Sequence, residues 1–428
     1  MKTAYRCRAY PDEAQQQQLS RTFGCVRVVW NRTLGARHAR YAAEGQGTSY
    51  AETDRNLTVM KKDPGLAFLS EVSAVPLQQA LRHQHAAFTA FFDGRARYPR
   101  YKSRGGRQTA HYTRAAFRFK DGGLWLAKSG APLKFTWSWP GVDVTALNPA
   151  SVIVSREPDG RWYVTFTVDA ELPEPLPETG RAIGADLGVK DFAVLSDGEK
   201  IANPRHLERK AQNLVRYQRR LARKQKGSAN RAKAKAKVAR AHRKVRNARN
   251  DFLHKASTRL VRENDVIAIE DLNVAGMTRR PKPKPDGNGG WERNGAAAKA
   301  GLNKSVIDAG LGEFRRQLEY KCERHGRALL VIDRWYPSSK TCSACGHLLE
   351  KLSLKTRRWQ CPSCGARHDR DVNAAKNILA AGQAVARSSP GDACGADVRH
   401  PGSARVQSAV KQEPRRATAG IPVLQGGE

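Results

Sequence analysis

The spacing of apolar residues predicts two helices in the first hundred positions. One covers residues 11–41, and its apolar positions follow one another at steps of three or four. A second runs from about Pro76 to Phe92 and meets a stop signal at Asp93-Gly94. The apolar face of the first helix consists of Leu19, Phe23, Val26, Trp30 and Leu34.

Between residues 115 and 170 the pattern changes to alternation of apolar and polar positions. The segments FRFKDGGLWLAK, KFTWSW and SVIVSREPDGRWYVTFTVDA predict a small antiparallel β unit, with a hairpin at Pro158-Asp159-Gly160. The Pro- and Glu-rich residues 171–180 predict a linker between domains.

The second half of the chain predicts an α/β layer. RAIGADLGVKDFAVLSDGEKI gives two strands, and DVIAIEDL and ALLVIDRW are short apolar runs typical of buried strands. Between those runs we expect a flexible loop at 279–301 and then one helix that ends at Gly326, with its apolar face formed by Ile307, Leu311, Phe314, Leu318 and Cys322. Central strands of this kind are covered on both sides.

The charge of the chain indicates a polyanionic partner. Lys and Arg total 76 against 40 Asp and Glu, a formal charge of +36. Phosphate backbones are the favoured partner, and an anionic membrane is the alternative. No run of about 18 apolar residues is present, so we expect no membrane span. The N-terminus MKTAYRCRAYPDEAQQQQ lacks an apolar signal core, which predicts a cytoplasmic protein.

Two basic segments are candidate nucleic-acid contacts. In residues 205–249, 18 of 45 residues are Lys or Arg and only Glu208 is acidic, so a long helix or helical hairpin broken near Gly227-Ser228 would repel itself without a polyanion. The segment RARYPRYKSRGGR at 95–107 suits nucleic acid or a solvated loop equally well. The candidate residues are Arg97, Tyr98, Arg100, Tyr101, Lys102, Arg216, Arg219, Arg220, Arg223 and Lys224.

Two CxxC pairs predict a zinc site. Cys342 and Cys345 form the first pair, Cys361 and Cys364 the second, and fifteen residues separate them. This spacing, in CSACG and CPSCG knuckles, is typical of a structural zinc ion with four thiolate ligands. Four reduced thiols are the alternative, and an iron–sulfur cluster fits less well. A closed site does not catalyse, so the chemistry must lie elsewhere.

Three acids are candidate ligands for catalytic metal ions. Asp186 lies within the apolar run AIGADLGV and Glu270 ends VIAIE, although a buried charge is costly unless it is paired or binds metal. At the start of the last helix, Asp371 shares its face with apolar residues, whereas Asp369 lies on a more polar side and is suited to capping. Carboxylates from two strands and a helix start can hold two Mg²⁺ ions, or Mn²⁺ in their place, about 4 Å apart.

The motifs GADLGVKDFAVLSDG, VIAIEDLNV, YPSSKTCSACG and CPSCGARHDRDVNAAKNIL together resemble the TnpB (OrfB) family. These proteins are encoded by bacterial insertion sequences and are similar to type V CRISPR effector nucleases. The resemblance covers roughly residues 1–382. It places the three acids of the nuclease site on Asp186, Glu270 and Asp371, and the four zinc ligands on the same cysteines.

The resemblance implies an RNase H-like (RuvC) nuclease domain with an inserted zinc ribbon, and an N-terminal wedge β-barrel that carries a helical recognition insertion. We assign the wedge to 1–10 and 115–175, the recognition insertion to 11–114, the nuclease domain to 181–335 and 366–385, with a basic helical insertion at 205–260, and the ribbon to 336–365. The tail 386–428 is predicted to be disordered. The loop 279–301 looks longer than the family leads us to expect.

The implied activity is cutting of double-stranded DNA beside a short flanking motif. A guide RNA from the end of the mobile element would pair with the DNA and open it, and the protein would act as a monomer on that RNA, near the bacterial nucleoid. The alternatives are a nuclease-inactive, RNA-guided DNA-binding protein that represses or assists transposition, and a zinc-ribbon nucleic-acid-binding protein without a guide. The second leaves the acids in buried strands unexplained.

Overall fold

The structure is a computed structural model that describes residues 2–388 except 121, 140, 172, 288 and 354, together with 398 and 399. The chain divides into two compact units. The first contains Met1–Leu172 and Lys210–Arg246, and the second contains Pro173–Arg209 and Asn247–Glu428. Among the described residues, none of the helices combines the length and the apolar composition that crossing a bilayer requires.

The first unit contains an antiparallel sheet and a separate hairpin. Its strands are β1 (Lys2–Tyr10), β2 (Gln108–Thr113), β3 (Phe117–Lys120), β4 (Gly123–Leu126), β5 (Lys134–Thr136), β6 (Ser151–Arg156) and β7 (Trp162–Asp169). The five-stranded sheet has the order β2-β6-β7-β1-β5, and β3 pairs with β4. Alternate residues of β7 are buried, which is the pattern of a sheet with one face on the core. The closed wedge barrel stays a prediction.

Strand β2 lies inside the segment 11–114 that the sequence assigns to the helical insertion. It pairs along its whole length with β6, from Gln108 opposite Arg156 to Thr113 opposite Ser151. The sequence QTAHYT hides this strand because polar residues occupy most of its positions, and only Ala110 and Tyr112 are buried. The β unit therefore starts before residue 115.

Three helices of the first unit follow the first strand. They are α1 (Glu13–Glu44), α2 (Tyr50–Lys62) and α3 (Ala74–Phe92), with a 3₁₀ segment at Pro64–Ser70. Helix α1 begins with a capping box, in which the Asp12 side chain accepts the N–H of Gln15 and the Gln15 side chain accepts that of Asp12. All five apolar positions predicted for its core-facing side are buried. Both predicted helices are confirmed, and α2 was missed.

The basic segment forms two helices, α4 (His206–Ala222) and α5 (Ala229–Glu263). The break lies where the sequence predicts it. Gly227 has φ +86, which favours glycine, and the Ser228 hydroxyl accepts the N–H of Arg231 in the first turn of α5.

The second unit is built on a mixed sheet. Its strands are β8 (Ala182–Leu187), β9 (Asp191–Leu195), β10 (Lys200–Ala202), β11 (Val266–Glu270), β14 (Ala328–Ile332) and β17 (Val398–Arg399), in the order β10-β9-β8-β11-β14-β17. The pairs β10–β9 and β9–β8 are antiparallel, β8–β11 and β11–β14 are parallel, and β14–β17 is antiparallel. The unit also contains α6 (Val274–Met277), β12 (Lys284–Pro285), β13 (Trp291–Glu292), α7 (Ala296–Ala309), α8 (Leu311–His325), β15 (Arg358–Gln360), β16 (Arg367–Asp369) and α9 (Arg370–Ser388).

Both faces of this sheet are covered, as predicted. On one face Ile183, Ile267 and Ile269 pack with residues of α5 and α8 such as Leu260 and Phe314. On the other face Ala268 and Leu330 pack with Ile378 of α9. The three layers bury the two parallel strands on both sides, which explains why their sequences are continuously apolar.

The predicted single helix between the buried strands is wrong. In place of that helix the structure has two, α7 and α8, because Gly310 takes a left-handed conformation at φ +74 and its N–H closes α7 on the carbonyl of Val306. Leu311, Phe314, Leu318 and Cys322 are buried on α8, whereas Ile307 on α7 is 57% exposed. The predicted loop 279–301 contains the short β12–β13 pair and the start of α7.

The predicted tail begins inside a helix, since α9 continues to Ser388. Beyond it, β17 pairs with β14, and the remaining residues of 386–428 lie outside the described part of the chain.

Candidate active site and metal centres

Asp186 and Glu270 lie side by side at the carboxyl ends of adjacent parallel strands. Ala185 of β8 is opposite Ile269 of β11, so the next residues in the register are Asp186 and Glu270. Residues in register on neighbouring strands point to the same face of a sheet. The fold thus brings together two acids that are 84 positions apart in the sequence.

Helix α9 packs on this face of the sheet and carries the third acid. Gly184 lies two residues before Asp186, on the same face, and a Cβ atom there would lie 2.1 Å from the carbonyl oxygen of Ala375 in α9. The missing side chain lets the helix approach the strand closely. Asp371 is in the first turn of α9.

The electrostatics of Asp186 include the charges of both other acids. Burial, and after it the charges of Glu270 and Asp371, raise the pKa of Asp186 to about 7, while Arg370 and Arg357 oppose the shift. Burial and like charges both disfavour the ionised form. A bound cation would remove this penalty.

Glu270 and Asp371 each have a specific partner. The Ser338 hydroxyl donates a hydrogen bond of 2.6 Å to Oε1 of Glu270. Burial raises the pKa of Glu270, and this hydrogen bond opposes the rise. Arg357 Nη1 lies 3.1 Å and 3.3 Å from the two carboxylate oxygens of Asp371.

Asp369 caps the N-terminus of α9, as the sequence predicts. Its Oδ1 accepts the N–H groups of Asp371 at 3.1 Å and Val372 at 3.3 Å, and Lys200 Nζ lies 2.8 Å from its Oδ2. The side of α9 that the sequence predicts to be more polar is not fully open to solvent, because Asn373 on that side is only 1% exposed. That side of α9 binds the segment that leads into the zinc knuckle.

The oxygen donors of these acids suit hard divalent cations such as Mg²⁺ and Mn²⁺. Asp186, Glu270 and Asp371 could hold such ions, and a bound cation would offset the burial and the like charges that raise the pKa of Asp186. In the described part of the chain, the side chains whose metal-ligand atoms all lie within 4.8 Å of one another are four cysteines. As a group, the three carboxylates are farther apart than this limit.

The four predicted cysteines form that cluster. Cys342 Sγ lies 3.7 Å from Cys364 Sγ, and Cys345 Sγ lies 3.7 Å from Cys361 Sγ. Four thiolates at about 2.3 Å from a tetrahedral zinc ion would place their sulfur atoms about 3.8 Å apart. The cluster is consistent with a structural zinc ion. His368 Nε2 lies 3.1 Å from Cys342 Sγ, beside this cluster.

The predicted nucleic-acid residues at 97–102 fall into two groups. Tyr98 packs edge-on against Phe88 and Phe91, and Lys102 Nζ lies 4.4 Å from the ring centroid of Trp30, so these two side chains also support the fold. Arg97, Arg100, Tyr101 and Lys102 are exposed, whereas Tyr98 is half-buried.

The predicted residues of the basic segment are all exposed. Arg216, Arg219 and Arg220 lie on α4, and Arg223 and Lys224 follow its end. Their guanidinium and ammonium groups are accessible to a phosphate backbone.

Sequence reasoning missed several residues of both units. Ser338 lies 68 positions from Glu270 and Arg357 lies 14 positions from Asp371, and no periodicity indicates such contacts. In the first unit, the buried Glu157 gathers Arg6 at 2.6 Å, Arg246 at 3.5 Å and Arg107 at 3.8 Å. The sequence does carry a signal for Asn373 and Asn377 of α9, which donate to the carbonyl of Ser338. Their spacing of four in DVNAAKNI indicates a polar stripe on one helix face.

Comparison with known proteins identifies relatives over almost the whole chain. Residues 164–280 match the OrfB_IS605 family, described as "Probable transposase", residues 312–378 match the Cas12f1-like TNB domain, and residues 1–46 match a helix-turn-helix domain of OrfB. In the structure, the last of these matches covers strand β1 and helix α1.

Two relatives align over most of their own length. A "Putative RNA-guided DNA endonuclease" of Streptomyces pristinaespiralis is 48% identical over 99% of this chain and 99% of its own. The "Putative RNA-guided DNA endonuclease InsQ" of Escherichia coli K12 is 31% identical over 89% of this chain and 92% of its own.

A solved structure, the Cas12f1-sgRNA-target DNA complex, has a similar fold. Its TM-score is 0.50 at 14% identity, with 85% of this chain and 83% of that chain covered. The fold and the sequence comparisons agree. This protein is therefore a member of the OrfB (TnpB) family.

Proposed function

We propose that this protein is an RNA-guided DNA endonuclease that hydrolyses phosphodiester bonds with two divalent metal ions. The observation that carries the proposal is Asp186, which lies half-buried in register with Glu270 and has its pKa raised to about 7 by burial and by the other two acids. A perturbed carboxylate of this kind, with named charge partners, marks a functional site. The two full-length relatives are named as endonucleases of this type.

The topology of the second unit supports an RNase H-like (RuvC) nuclease domain. Three consecutive antiparallel strands, β8 to β10, continue into the parallel strands β11 and β14. The candidate acids lie at the carboxyl ends of two of these strands and at the start of the helix that covers them. Ligand sites in sheets with parallel strands occur at this end.

Asp186, Glu270 and Asp371 would hold the metal ions. Divalent ions bound there would supply a hydroxide-like nucleophile at neutral pH and stabilise the departing oxygen of the phosphodiester. The protein contributes position: β8 and β11 fix two acids, and the close packing of α9 on Gly184 fixes the third. Ser338 orients Glu270, and Arg357 neutralises Asp371.

The partners we propose are a guide RNA from the end of the mobile element and a double-stranded DNA target beside a short flanking motif. The charge of +36 and the exposed Arg216, Arg219 and Arg220 support phosphate binding. RNA affinity should then fall steeply with salt, because each phosphate contact releases about 0.7–0.9 of a counterion. The same affinity at low and moderate salt would contradict this role.

Cleavage by a variant of the central acid tests the activity. The protein would be purified with its co-expressed RNA and given a matched DNA target and Mg²⁺. We expect Asp186→Ala to abolish cleavage and to retain RNA. Asp197→Ala, which removes an exposed acid in the turn after β9, is the matched control and should cut normally.

Two outcomes would overturn the proposal. Equal cleavage by Asp186→Ala and the wild type would remove Asp186 from the site. A wild-type complex that binds RNA and matched DNA but does not cut in Mg²⁺ or Mn²⁺ would favour the RNA-guided DNA-binding protein instead.

A further inference from the structure

The segment that leads into the zinc knuckle touches the candidate active site through one serine. Ser338 is 7% exposed, and its hydroxyl donates to Oε1 of Glu270 at 2.6 Å. The two residues are 68 positions apart. A short hydrogen bond to a carboxylate is stronger than one between neutral groups, and it restricts the carboxylate to one orientation.

Helix α9 holds the backbone of this serine. The side-chain amide of Asn377 donates to the carbonyl of Ser338 at 2.8 Å, and that of Asn373 donates to the same oxygen at 3.4 Å. Both asparagines are at least 95% buried. Buried amides must be hydrogen-bonded, so these contacts fix Ser338 relative to the helix.

The same two asparagines hold the next turn of the segment. Asn373 and Asn377 donate to the carbonyl of Thr341 at 2.7 Å and 2.6 Å, and Oδ1 of Asn373 accepts the N–H of Ser343 at 2.9 Å. Thr341 and Ser343 flank Cys342, a member of the cysteine cluster. A continuous set of hydrogen bonds therefore joins the zinc knuckle, α9 and Glu270.

We propose that Ser338 is a positioning residue for Glu270, and that the zinc knuckle, held on α9 by Asn373 and Asn377, sets the orientation in which Glu270 binds a divalent ion. This inference rests on the proposed function, since it requires Glu270 to be a metal ligand. The segment that leads into the knuckle then does more than stabilise the fold, because it carries a side chain that contacts Glu270. Helix α9 contributes to the site twice, through Asp371 and through the two asparagines.

The neighbouring serine provides a matched control. Ser339 carries the same hydroxyl and is more exposed than Ser338. Full-length wild type, Ser338→Ala and Ser339→Ala would be titrated with Mn²⁺ in the absence of nucleic acid, with free Mn²⁺ measured by electron paramagnetic resonance. We expect Ser338→Ala to bind Mn²⁺ about tenfold to a hundredfold more weakly, the effect of losing one hydrogen bond to a charged group. Ser339→Ala should bind as the wild type does, and elemental analysis should find the same zinc content in all three.

A second pair of variants separates the hydroxyl from packing. Ser338→Thr and Ser338→Val have the same shape, and only the threonine can donate. A difference in Mn²⁺ affinity between them supports the proposal even if the added methyl group destabilises both. Equal affinity in this pair, or wild-type affinity in Ser338→Ala, would overturn it.

Glu270→Gln distinguishes the failure of this inference from the failure of the proposed function. If Glu270→Gln weakens Mn²⁺ binding and Ser338→Ala does not, Ser338 is not a positioning residue, and the metal site stands. If Glu270→Gln leaves Mn²⁺ affinity unchanged, Glu270 is not a ligand, and both are wrong.

Discussion

Replacing Gly184 by alanine should displace α9 from the active-site face of the sheet. The new Cβ atom would lie 2.1 Å from the carbonyl oxygen of Ala375 and 2.9 Å from the Cβ atom and backbone nitrogen of Leu379. Carbon–oxygen contacts settle at about 3.3–3.6 Å, so the helix backbone must retreat by more than about 1 Å. Overpacking of this kind typically costs about 1–3 kcal/mol.

The same displacement should reduce cleavage, because Asp371 belongs to the helix that moves. A misplacement of about 1 Å at a catalytic group can cost about a hundredfold in rate. We therefore expect Gly184→Ala to lower the melting temperature, by about 2–4 °C for each kcal/mol in a domain of about 150–250 residues. We also expect Mg²⁺-dependent cleavage of a matched DNA target to fall by about two orders of magnitude.

Two other glycines provide a graded control. A Cβ atom at Gly382 of α9 would lie 3.1 Å from Ala268 Cβ and 3.2 Å from Leu330 Cβ, so a shift of a few tenths of an ångström would relieve the contact. A Cβ atom at Gly24, inside α1, would have nothing within 4 Å, and alanine should stabilise that helix by about 0.5–1 kcal/mol. If Gly184→Ala melts and cuts like Gly24→Ala, α9 does not pack on Gly184 as described.

Three further predictions concern the metal centres. Because the folded pKa of Asp186 is about 7, above its ordinary value of 3.8, the metal-free protein should lose stability as pH rises from about 4 to about 7. Mn²⁺ affinity should rise over the same range by up to about tenfold per pH unit, and calorimetric titration of Asp186→Asn should find a weaker pH dependence. Cys361→Ser combined with Cys364→Ser should release zinc and destabilise the second unit. Cys322→Ser, which changes a buried thiol outside the cluster, should keep the zinc. A normal zinc content of the double variant, measured by elemental analysis, would refute the site. Arg357→Gln should tighten Mn²⁺ binding severalfold, since it removes a cation that lies 3.1 Å from an oxygen of Asp371, and the neighbouring Arg358→Gln should not.

Features that depend on local patterns could be predicted from the sequence. The apolar runs around Asp186 and Glu270 predict buried strands, and the structure pairs them in register. The helical periodicity of α1 and the cysteine spacing also correspond to the structure. These predictions succeed because hydrophobic burial and metal ligation leave periodic or fixed spacings in the sequence.

Features that depend on one backbone angle or on a distant partner could not be predicted. The break between α7 and α8 depends on the left-handed conformation of Gly310, yet the apolar period continues across it. The strand β2 obtains its stability from pairing with β6, and its own composition is largely polar. In β2, tertiary pairing overrides the weak local preference.

The three candidate acids show how the fold tolerates like charges that are all half-buried. Each has a different compensation: Asp186 has its pKa raised to about 7, Glu270 accepts the hydroxyl of Ser338, and Asp371 pairs with Arg357. A buried charge without a partner would cost several kcal/mol. The two partner residues come from the segment that contains the zinc knuckle, so the local sequence around the acids gives no sign of them. The knuckle and the carboxylates therefore have to fold as one structure, because each provides polar groups that the other leaves unsatisfied.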